Sequence, residues 1–464
     1  MDRNKTIVKN TIIFSIGNFG SKVLSFVMVL VYTHYITTSA LGYYDLILTT
    51  VSLVQPIVTM AFDEGIYRWM IDDSYKDKRT IVTTCLKITS VTTLGAIAVL
   101  FLLNFKFHFQ YVILIALYLA SVVLYAMFLN AVRGLSNNKL YAMSGVLNSI
   151  AMLVLEILGL MVFNMGVEAL LFANLASNFI AIAYIYLKQK ELHGILKESF
   201  DRVLAKKIFN YSMPLVPNQI SWWIVNSSDR YIILFFLGTS FNGIYSVSNK
   251  FPTIITTITG IVYLALQQTI IKEYNSPDRD DFYSKTFKKY YVLLFCLVMC
   301  AVPATKVIIL WFVSESYMGA WKFIGSLYMS TIFSALSGFL GIGYQISRET
   351  KRSVTSTVAA AAVNIGVNVA LIRFIGLHAA SISTFAAYFF LFSIRIAHSR
   401  KYFSLHIKWP LFIALNIISW GIIVTSYLTG IVANIVITVC ATIIASYVNK
   451  DTLKKILSRR RQAA

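Results

Sequence analysis

The sequence is dominated by apolar stretches that are each long enough to cross a lipid bilayer. A transmembrane helix needs about 20 consecutive apolar residues to span roughly 30 Å of hydrocarbon. Fourteen such stretches follow one another along the 464 residues, at 11–36, 41–62, 81–103, 109–132, 140–163, 167–187, 208–237, 241–271, 288–313, 319–346, 353–375, 377–397, 409–429 and 431–449. We therefore predict an all-α integral membrane protein with about 14 transmembrane helices.

The composition excludes an ordinary soluble protein. Hydrophobic residues make up 57% of the chain and charged residues 13%, and the mean hydropathy is +0.69. Soluble globular domains have roughly 45–50% apolar and about 25% charged residues. The first stretch is longer than the apolar core of a signal peptide and lacks an A-x-A-type exit, so we expect it to remain as a membrane helix.

The net charge of +21 is distributed unevenly. Thirty-two Lys and Arg residues fall at the termini and in the loops after even-numbered stretches, whereas the odd-numbered loops hold only Lys106 and Arg373. By the positive-inside rule, this asymmetry places both termini and all even-numbered loops in the cytoplasm. Nucleic-acid binding would need a contiguous basic face with motif support, which short scattered loops do not supply.

An internal repeat relates the two halves of the chain. When the sequence is shifted by 201 residues, 38–44 aligns with 239–245, and Asn18 aligns with Gln219. The identical pairs are Thr38/Thr239, Ser39/Ser240, Gly42/Gly243 and Tyr44/Tyr245. We predict a parallel repeat of two six-helix lobes followed by two additional C-terminal helices. The predicted boundaries are 1–187 for the N-lobe, 188–207 for a linker, 208–397 for the C-lobe, 398–449 for helices 13 and 14, and 450–464 for a basic cytoplasmic tail.

The connections between stretches exclude several function classes. Apolar residues at helical spacing in 188–207 predict an amphipathic linker on the inner leaflet, with a solvated connector as the alternative. The outer loops are only about four to seven residues long, so no large external catalytic or ligand-binding domain is expected. The chain has no G-x-x-x-x-G-K-[ST] motif and no metal-ligand spacing of histidine, so we predict no enzyme activity, cofactor or metal.

Ionisable side chains lie inside several predicted spans. A charge at the bilayer centre costs about 2.5–3.5 kcal/mol on insertion scales, so such groups usually face a wet cavity or a partner. The predicted buried cations are Lys22, Arg230 and Lys250, and the predicted carboxylates are Asp45, Glu156 and Asp229. We expect the cations to line a positively charged cavity. The alternative is structural pairing, for example of Lys250 with Asp229.

Prolines also fall inside the predicted spans. Membrane helices tolerate such interruptions when neighbouring groups or water satisfy the freed backbone groups. We expect kinks, with bending or static packing as alternative roles, at Pro56, Pro214, Pro217, Pro252 and Pro303.

Short motifs recur in the first eight predicted spans. Those in the first half are Y-T-x-Y at 32–35, G-x-Y-D at 42–45 and D-E-G-x-x-R at 63–68. Those in the second half are Y-S-x-P-x-x-P at 211–217, D-R-x-x-I at 229–233 and G-x-Y-x-x-x-x-K-x-P at 243–252. These motifs resemble those of polysaccharide-export flippases of the Wzx type, which belong to the superfamily that also contains lipid II flippases and multidrug/toxin extruders. The last six spans match only in hydropathy and length.

The resemblance implies a non-enzymatic transporter in the bacterial cytoplasmic membrane. It would move an undecaprenyl-diphosphate-linked oligosaccharide from the inner to the outer leaflet by alternating access, with membrane lipids as partners and a polysaccharide polymerase as a candidate partner. The alternatives are a multidrug cation antiporter of the same superfamily and, from another class, a non-transporting scaffold or a membrane glycosyltransferase. The sequence does not identify the glycan.

The resemblance also suggests roles for individual residues. The predicted headgroup-binding residues are Lys22, Arg230, Lys250, Asn18, Gln219 and Asn226. The predicted residues for ion coupling or charge pairing are Asp45, Glu156 and Asp229. A cytoplasmic gate is predicted at Asp63, Glu64 and Arg68.

Overall fold

A computed structural model of the chain describes residues 26–71, 77–272, 276–347 and 349–450, together with Gly20, Leu24 and Tyr274. These residues contain helices and irregular connections and no β-strand. Part of the first predicted span, including Asn18 and Lys22, lies outside the described residues, as does 451–464 of the predicted tail. The all-α fold class predicted from the sequence is confirmed.

Contacts divide the chain into two compact units. The first comprises Met1–Leu234 with Gly238–Gly243, and the second comprises Phe235–Leu237 with Ile244–Ala464. The predicted lobe boundaries and the repeat symmetry stay predictions.

The described helices of the first unit are mostly long and closely spaced. Their bounds are α1 26–32, α2 Thr38–Thr59, α3 Phe62–Ile71, α4 Lys78–Phe107, α5 Val112–Gly134, α6 Asn138–Ile157, α7 Val167–Lys188, α8 Arg202–Ser212, α9 Leu215–Ser227 and α10 Asp229–Leu237, the last three residues of α10 belonging to the second unit. Polar side chains cap several N-termini: Thr37 accepts from Ala40 N–H, and Asp201 accepts from Val203 and Leu204 N–H. Such caps satisfy backbone donors that lack an intrahelical partner.

The second unit contains the remaining helices. Their bounds are α11 Thr239–Lys272, which starts in the first unit, α12 Arg279–Phe312, α13 Ile324–Ile346, α14 Thr350–Ile375, α15 His378–Ser399, α16 Trp409–Leu428 and α17 Ile431–Val448. Aromatic packing fills the interior of this unit. The rings of Tyr283 and Phe403 stack with centroids 3.8 Å apart, and Phe412 packs against Phe295, Phe333 and Phe392.

Eleven of the described helices are long and apolar enough to span a membrane. Large apolar side chains on these helices are exposed, for example Phe374 at 83% and Val432 at 76%. That arrangement is costly in water and favourable in lipid, so the chain is a multi-pass membrane protein.

Two predicted spans differ from the helices that form. The second predicted span, 41–62, ends at Thr59, because Met60 and Ala61 adopt left-handed backbone conformations with φ 50° and 52° and separate α2 from α3. The seventh, 208–237, is divided among α8, α9 and α10, with the first break next to Pro214. Conversely, α11 and α12 continue through Pro252 and Pro303, where sequence reasoning placed interruptions.

The predicted linker 188–207 packs against the first unit through its apolar side chains. Leu192, Ile195 and Leu204 are buried in the same cluster as Phe62 and Ile81. The hydroxyl of Thr83 donates to Ile195 O, and Lys87 Nζ donates to Glu198 O at 3.0 Å. Side-chain hydrogen bonds therefore hold the segment against α4. Before α8 it forms short turns and no long helix.

Candidate functional site

A partly buried ion pair joins α2 to the start of α10. Arg230 Nε donates to Asp45 Oδ2 at 2.7 Å, and the two side chains are 15% and 10% exposed. Arg230 Nη1 also donates to Asn226 O, one turn earlier, at 3.1 Å. Two of the ionisable residues predicted from the sequence therefore meet, although 185 positions separate them.

Aromatic and hydroxyl side chains that sequence reasoning did not identify surround this pair. The hydroxyls of Tyr231 and Thr50 lie 2.6 Å apart, and Trp223 Nε1 donates to Thr49 O at 3.0 Å and to Ser52 Oγ at 3.1 Å. The rings of Trp223 and Tyr231 meet edge to face, with centroids 5.7 Å apart. These contacts fix α9 and α10 against α2 and position the Arg230 side chain. The position of Tyr231 directly after Arg230 was the sequence signal that could have identified it.

The repeated glycines lie at a close crossing of helix N-termini within the first unit. A Cβ at Gly42 would lie 1.9 Å from Thr239 O, and one at Gly243 would lie 2.0 Å from Thr38 O. Ser39 Oγ and Thr239 Oγ1 are 2.7 Å apart, and Asn242 Nδ2 donates to Gly42 O at 2.9 Å. The identical glycines are thus required by backbone contact, because any side chain would separate the two helices.

The other predicted headgroup residues are placed separately. Gln219 is half-buried on α9, and Asn226 is exposed, with its amide donating to Trp222 O at 2.7 Å. Lys250 is half-buried on α11 and forms no ion pair within the part of the chain that the structure describes. Asn18 and Lys22 lie outside the described residues, so their predicted role stays a prediction.

The predicted carboxylates are buried. Asp229 is 3% exposed at the start of α10, and Glu156 is 3% exposed near the end of α6. Directly after Glu156 the backbone continues as a π-helical turn, Leu158–Val162, a distortion that is frequent at functional sites. Nearby, Asn174 Nδ2 donates to the Tyr44 hydroxyl at 2.7 Å, so polar groups continue from α2 into α7.

The predicted gate residues lie on α3, outside the candidate spans. Asp63 is buried and accepts from the Thr59 hydroxyl at 3.4 Å, whereas Glu64 is half-buried and Arg68 is exposed. Burial, with a smaller contribution from the nearby Glu64 charge, raises the pKa of Asp63 to about 6. This carboxyl is therefore protonated at a higher pH than an exposed aspartate.

Two buried cations of the second unit were missed by sequence reasoning. Arg395 is 4% exposed and donates to Ser337 O at 2.9 Å and to the Thr357 hydroxyl at 3.1 Å. Lys306 is 5% exposed and donates to Ser426 O at 2.5 Å and Thr429 O at 2.8 Å. Their hydrogen-bond acceptors are carbonyls and hydroxyls. These contacts resemble caps and cross-links between helices more than a ligand site.

The Asp45–Arg230 pair has the chemistry of an exchangeable anion site. A guanidinium binds carboxylate or phosphate oxygens with comparable geometry, so a phosphate group could replace Asp45 as its partner. The neighbouring hydroxyls of Thr50 and Tyr231 could also exchange their mutual hydrogen bond for one to an oxygen-rich ligand.

Comparison with known proteins supplies a family and a fold. A family model described as "Polysaccharide biosynthesis protein" matches residues 7–271, and no curated protein matches the sequence. The lipid II flippase MurJ in an inward closed conformation aligns with a TM-score of 0.70 at 13% identity, over 95% of this chain and 100% of that chain. An inward-facing multidrug resistance MATE family transporter of the MOP superfamily aligns at 0.64 and 15% identity, over 87% of this chain and 95% of that chain.

A further solved structure, a variant of the Vibrio cholerae MATE transporter VcmN, aligns with a TM-score of 0.60 at 13% identity, over 86% of this chain and 97% of that chain. At these identities the three likenesses show the fold alone. Flippases and multidrug transporters share that fold, so the choice between them depends on the site.

Proposed function

This chain belongs to the polysaccharide biosynthesis protein family, and from that premise we propose that it is a flippase for undecaprenyl-diphosphate-linked oligosaccharides. It moves the repeat unit from the inner to the outer leaflet of the bacterial cytoplasmic membrane by alternating access. Its chemistry is transport, without bond making, and both termini are cytoplasmic. A polysaccharide polymerase is the partner that would consume the translocated unit.

The proposal depends chiefly on one observation, the Arg230 guanidinium held inside the membrane-embedded part of the chain by Asp45. A diphosphate needs a cationic partner to leave water, because a desolvated phosphate charge is costly. Arg230 supplies that partner, and Asp45 keeps it neutralised while no substrate is bound. Substrate binding then replaces one anion by another, so the buried net charge changes little.

The remaining predicted site residues have separate proposed roles in binding, coupling and gating. Lys22 and Lys250 add positive charge for the diphosphate, and the amides of Asn18, Gln219 and Asn226 select among sugar hydroxyls. Glu156 and Asp229 are proposed for ion coupling or charge pairing, and Asp63, Glu64 and Arg68 for the cytoplasmic gate.

The membrane potential favours export of an anion. An inside-negative potential drives negative charge outward with about 2.3 kcal/mol per charge per 100 mV, so two phosphate charges gain roughly 4–5 kcal/mol. A counter-ion that protonates or pairs with a carboxylate such as Asp45 would reset the empty carrier.

A multidrug cation antiporter is the second candidate, supported by the MATE alignments and by the buried carboxylates Asp45, Glu156 and Asp229. In that case Arg230 would serve only to hold Asp45, and a cationic drug would displace it. The two candidates predict opposite charge for the transported molecule.

Deleting the gene and following lipid-linked intermediates separates the candidates. The flippase predicts that lipid-linked oligosaccharide accumulates on the inner leaflet, that the wild-type gene reverses this, and that Arg230→Ala does not. Arg373→Ala, a cation at the predicted outer end of another helix, is the matched control and should complement. Drug sensitivity without accumulation would favour the antiporter.

A further inference from the structure

Helix α8 presents a basic face at the predicted cytoplasmic side of the first unit. Leu204, Ala205 and Ile208 are buried, whereas the side chains on the opposite face are exposed. That exposed face lines an open cavity of about 430 Å³ formed by Arg202, Val203, Lys206, Lys207 and Asn210. Three cations, one amide and one valine are the described residues that line it, so its charge is complementary to a phosphate.

The buried face of α8 is held rigidly. A Cβ added to Gly65 of α3 would lie 2.5 Å from the Ile208 side chain, so the two helices are in close contact. Asp201 N–H donates to the Thr84 hydroxyl of α4 at 3.2 Å, and Asp201 Oδ1 caps α8 by accepting from Val203 and Leu204 N–H. The cations therefore project from a fixed helix and do not have to be ordered by a ligand.

The surroundings of the cavity are apolar. Val203 at its edge is 67% exposed, and Phe200 and Phe209 beside it are exposed as well. Helix α8 is not a candidate span, yet it belongs to a membrane-embedded unit. A polar headgroup above exposed apolar side chains is the environment at a membrane–water interface. The positive-inside rule places this face at the cytoplasmic leaflet, where anionic lipids attract Lys and Arg.

We propose that the Arg202, Lys206, Lys207 and Asn210 face of α8 binds the phosphate headgroup of an anionic phospholipid of the inner leaflet. The phosphate lies among the three cations, and the acyl chains extend along Val203 and Phe200. Because α8 packs on α3, which carries the predicted gate residues, a bound lipid would stabilise the first unit where α3 and α8 meet.

Lipid binding by the full-length protein in detergent tests this proposal. Native mass spectrometry would count bound phosphatidylglycerol and phosphatidylcholine for the wild type, for Arg202→Gln/Lys206→Gln/Lys207→Gln, and for Lys285→Gln/Lys288→Gln/Lys289→Gln on α12 as a control of equal charge change. We expect the wild type to prefer phosphatidylglycerol and the α8 variant to bind it about a hundredfold more weakly, from about 1 kcal/mol for each of the three basic residues. The control should bind like the wild type.

A charge-retaining variant, Arg202→Lys/Lys206→Arg/Lys207→Arg, controls for effects of misfolding. It should keep the preference for phosphatidylglycerol over phosphatidylcholine. Equal binding of both lipids by the wild type, unchanged binding by the α8 variant, or an equal loss in the α12 control would overturn the proposal. Binding of undecaprenyl phosphate without binding of phosphatidylglycerol would also overturn it, because the face would then serve the transported carrier. None of these outcomes depends on transport, so they leave the proposed function to its own test.

Discussion

At the scale of single residues, the Arg230 charge is matched by Asp45 of α2, a helix long and apolar enough to span a membrane. Insertion of an unmatched arginine costs about 2.5–3.5 kcal/mol, and Asp45 and Asn226 O remove most of that cost by accepting from the guanidinium. The pair therefore has two separable roles, one in stability and one in the proposed binding of phosphate.

A double-variant cycle separates these roles. Asp45→Asn leaves the guanidinium without its anion and should destabilise the protein by about 3 kcal/mol. Asp45→Asn/Arg230→Gln removes both charges and should recover much of that loss, measured as the melting temperature in detergent. Glycan export should remain absent in the double variant, and normal export there would remove Arg230 from the mechanism.

Lys306 is expected to act in stability alone. Its ammonium donates to carbonyls at the C-terminal end of α16 and lies 4.1 Å from the centre of the Trp321 ring. Lys306→Met would remove the shorter bonds and leave these carbonyls only the longer ones from Asn434 Nδ2, at 3.4 and 3.3 Å, and should cost about 1–3 kcal/mol. Lys322→Met, at a nearby exposed position, is the control. A melting temperature equal to that of the wild type in Lys306→Met would contradict this role.

Sequence reasoning identified Asp45 and Arg230 individually, because charges in apolar stretches are rare. It did not identify them as partners, since nothing in one sequence relates positions on different helices. It missed Arg395 and Lys306 because both lie toward helix ends, where long basic side chains usually reach water. Their burial depends on neighbouring helices that hydropathy does not describe.

At the scale of elements, backbone geometry decides where the helices break. Met60 and Ala61 end α2 close to the predicted end of the second span, although neither residue is a helix breaker, whereas Pro252 and Pro303 are accommodated within continuous helices. Hydropathy predicts that a span exists, but the positions where its helix is interrupted depend on packing. The short helix α3 and its buried Asp63 result from one such interruption.

The buried Asp63 makes stability depend on pH. An acid whose pKa is higher in the folded state favours folding at low pH, and that contribution is lost as the pH rises from about 4 to above 6. The loss amounts to up to about 3 kcal/mol. Asp63→Asn should therefore have a higher melting temperature than the wild type at pH 7.5, with little difference at pH 4.5.

Glu64→Gln provides a second variant for the same measurement. The Glu64 charge contributes to the raised pKa of Asp63, so its removal should reduce the pH dependence without abolishing it. A melting curve of Asp63→Asn that follows the wild type at both pH values would show that Asp63 does not carry the effect.

The glycine crossing of α2 and α11 predicts a conformational effect of one methyl group. Gly42→Ala places a Cβ against Thr239 O and Gly243 N and should force the helix ends apart. The pair Ser39→Cys/Thr239→Cys should form a disulfide readily, since their hydroxyls are 2.7 Å apart, and Gly42→Ala should suppress it several-fold. Gly260→Ala, with nothing near its Cβ, is the control. Equal cross-linking in both backgrounds would contradict the close approach.

At the scale of the whole molecule, the fold class and the family were predicted from hydropathy and sequence motifs. The all-α membrane fold is confirmed, and the family match over residues 7–271 confirms the resemblance read from motifs in the first eight spans. Eleven spans are found among the described residues, while the total of 14 stays a prediction. Substrate identity could not be predicted, because polar groups that select a glycan leave no periodic pattern.

The proposed charge of the transported molecule is inferred from the position of the cations more than from the net charge of +21. Thirty-two basic residues fall where they predict the topology, and only a few remain for a ligand. We therefore propose that this protein carries an anionic lipid headgroup and that Arg230 contacts it.

Translocation in reconstituted proteoliposomes tests that claim most directly. A fluorescent undecaprenyl-diphosphate-linked oligosaccharide is placed in one leaflet, and its appearance in the other is followed by quenching for the wild type, Arg230→Ala and the Arg373→Ala control. The account predicts translocation by the wild type and the control, and at least a tenfold slower rate for Arg230→Ala. Equal rates for wild type and Arg230→Ala, or uptake of a cationic drug with no movement of the glycolipid, would contradict it.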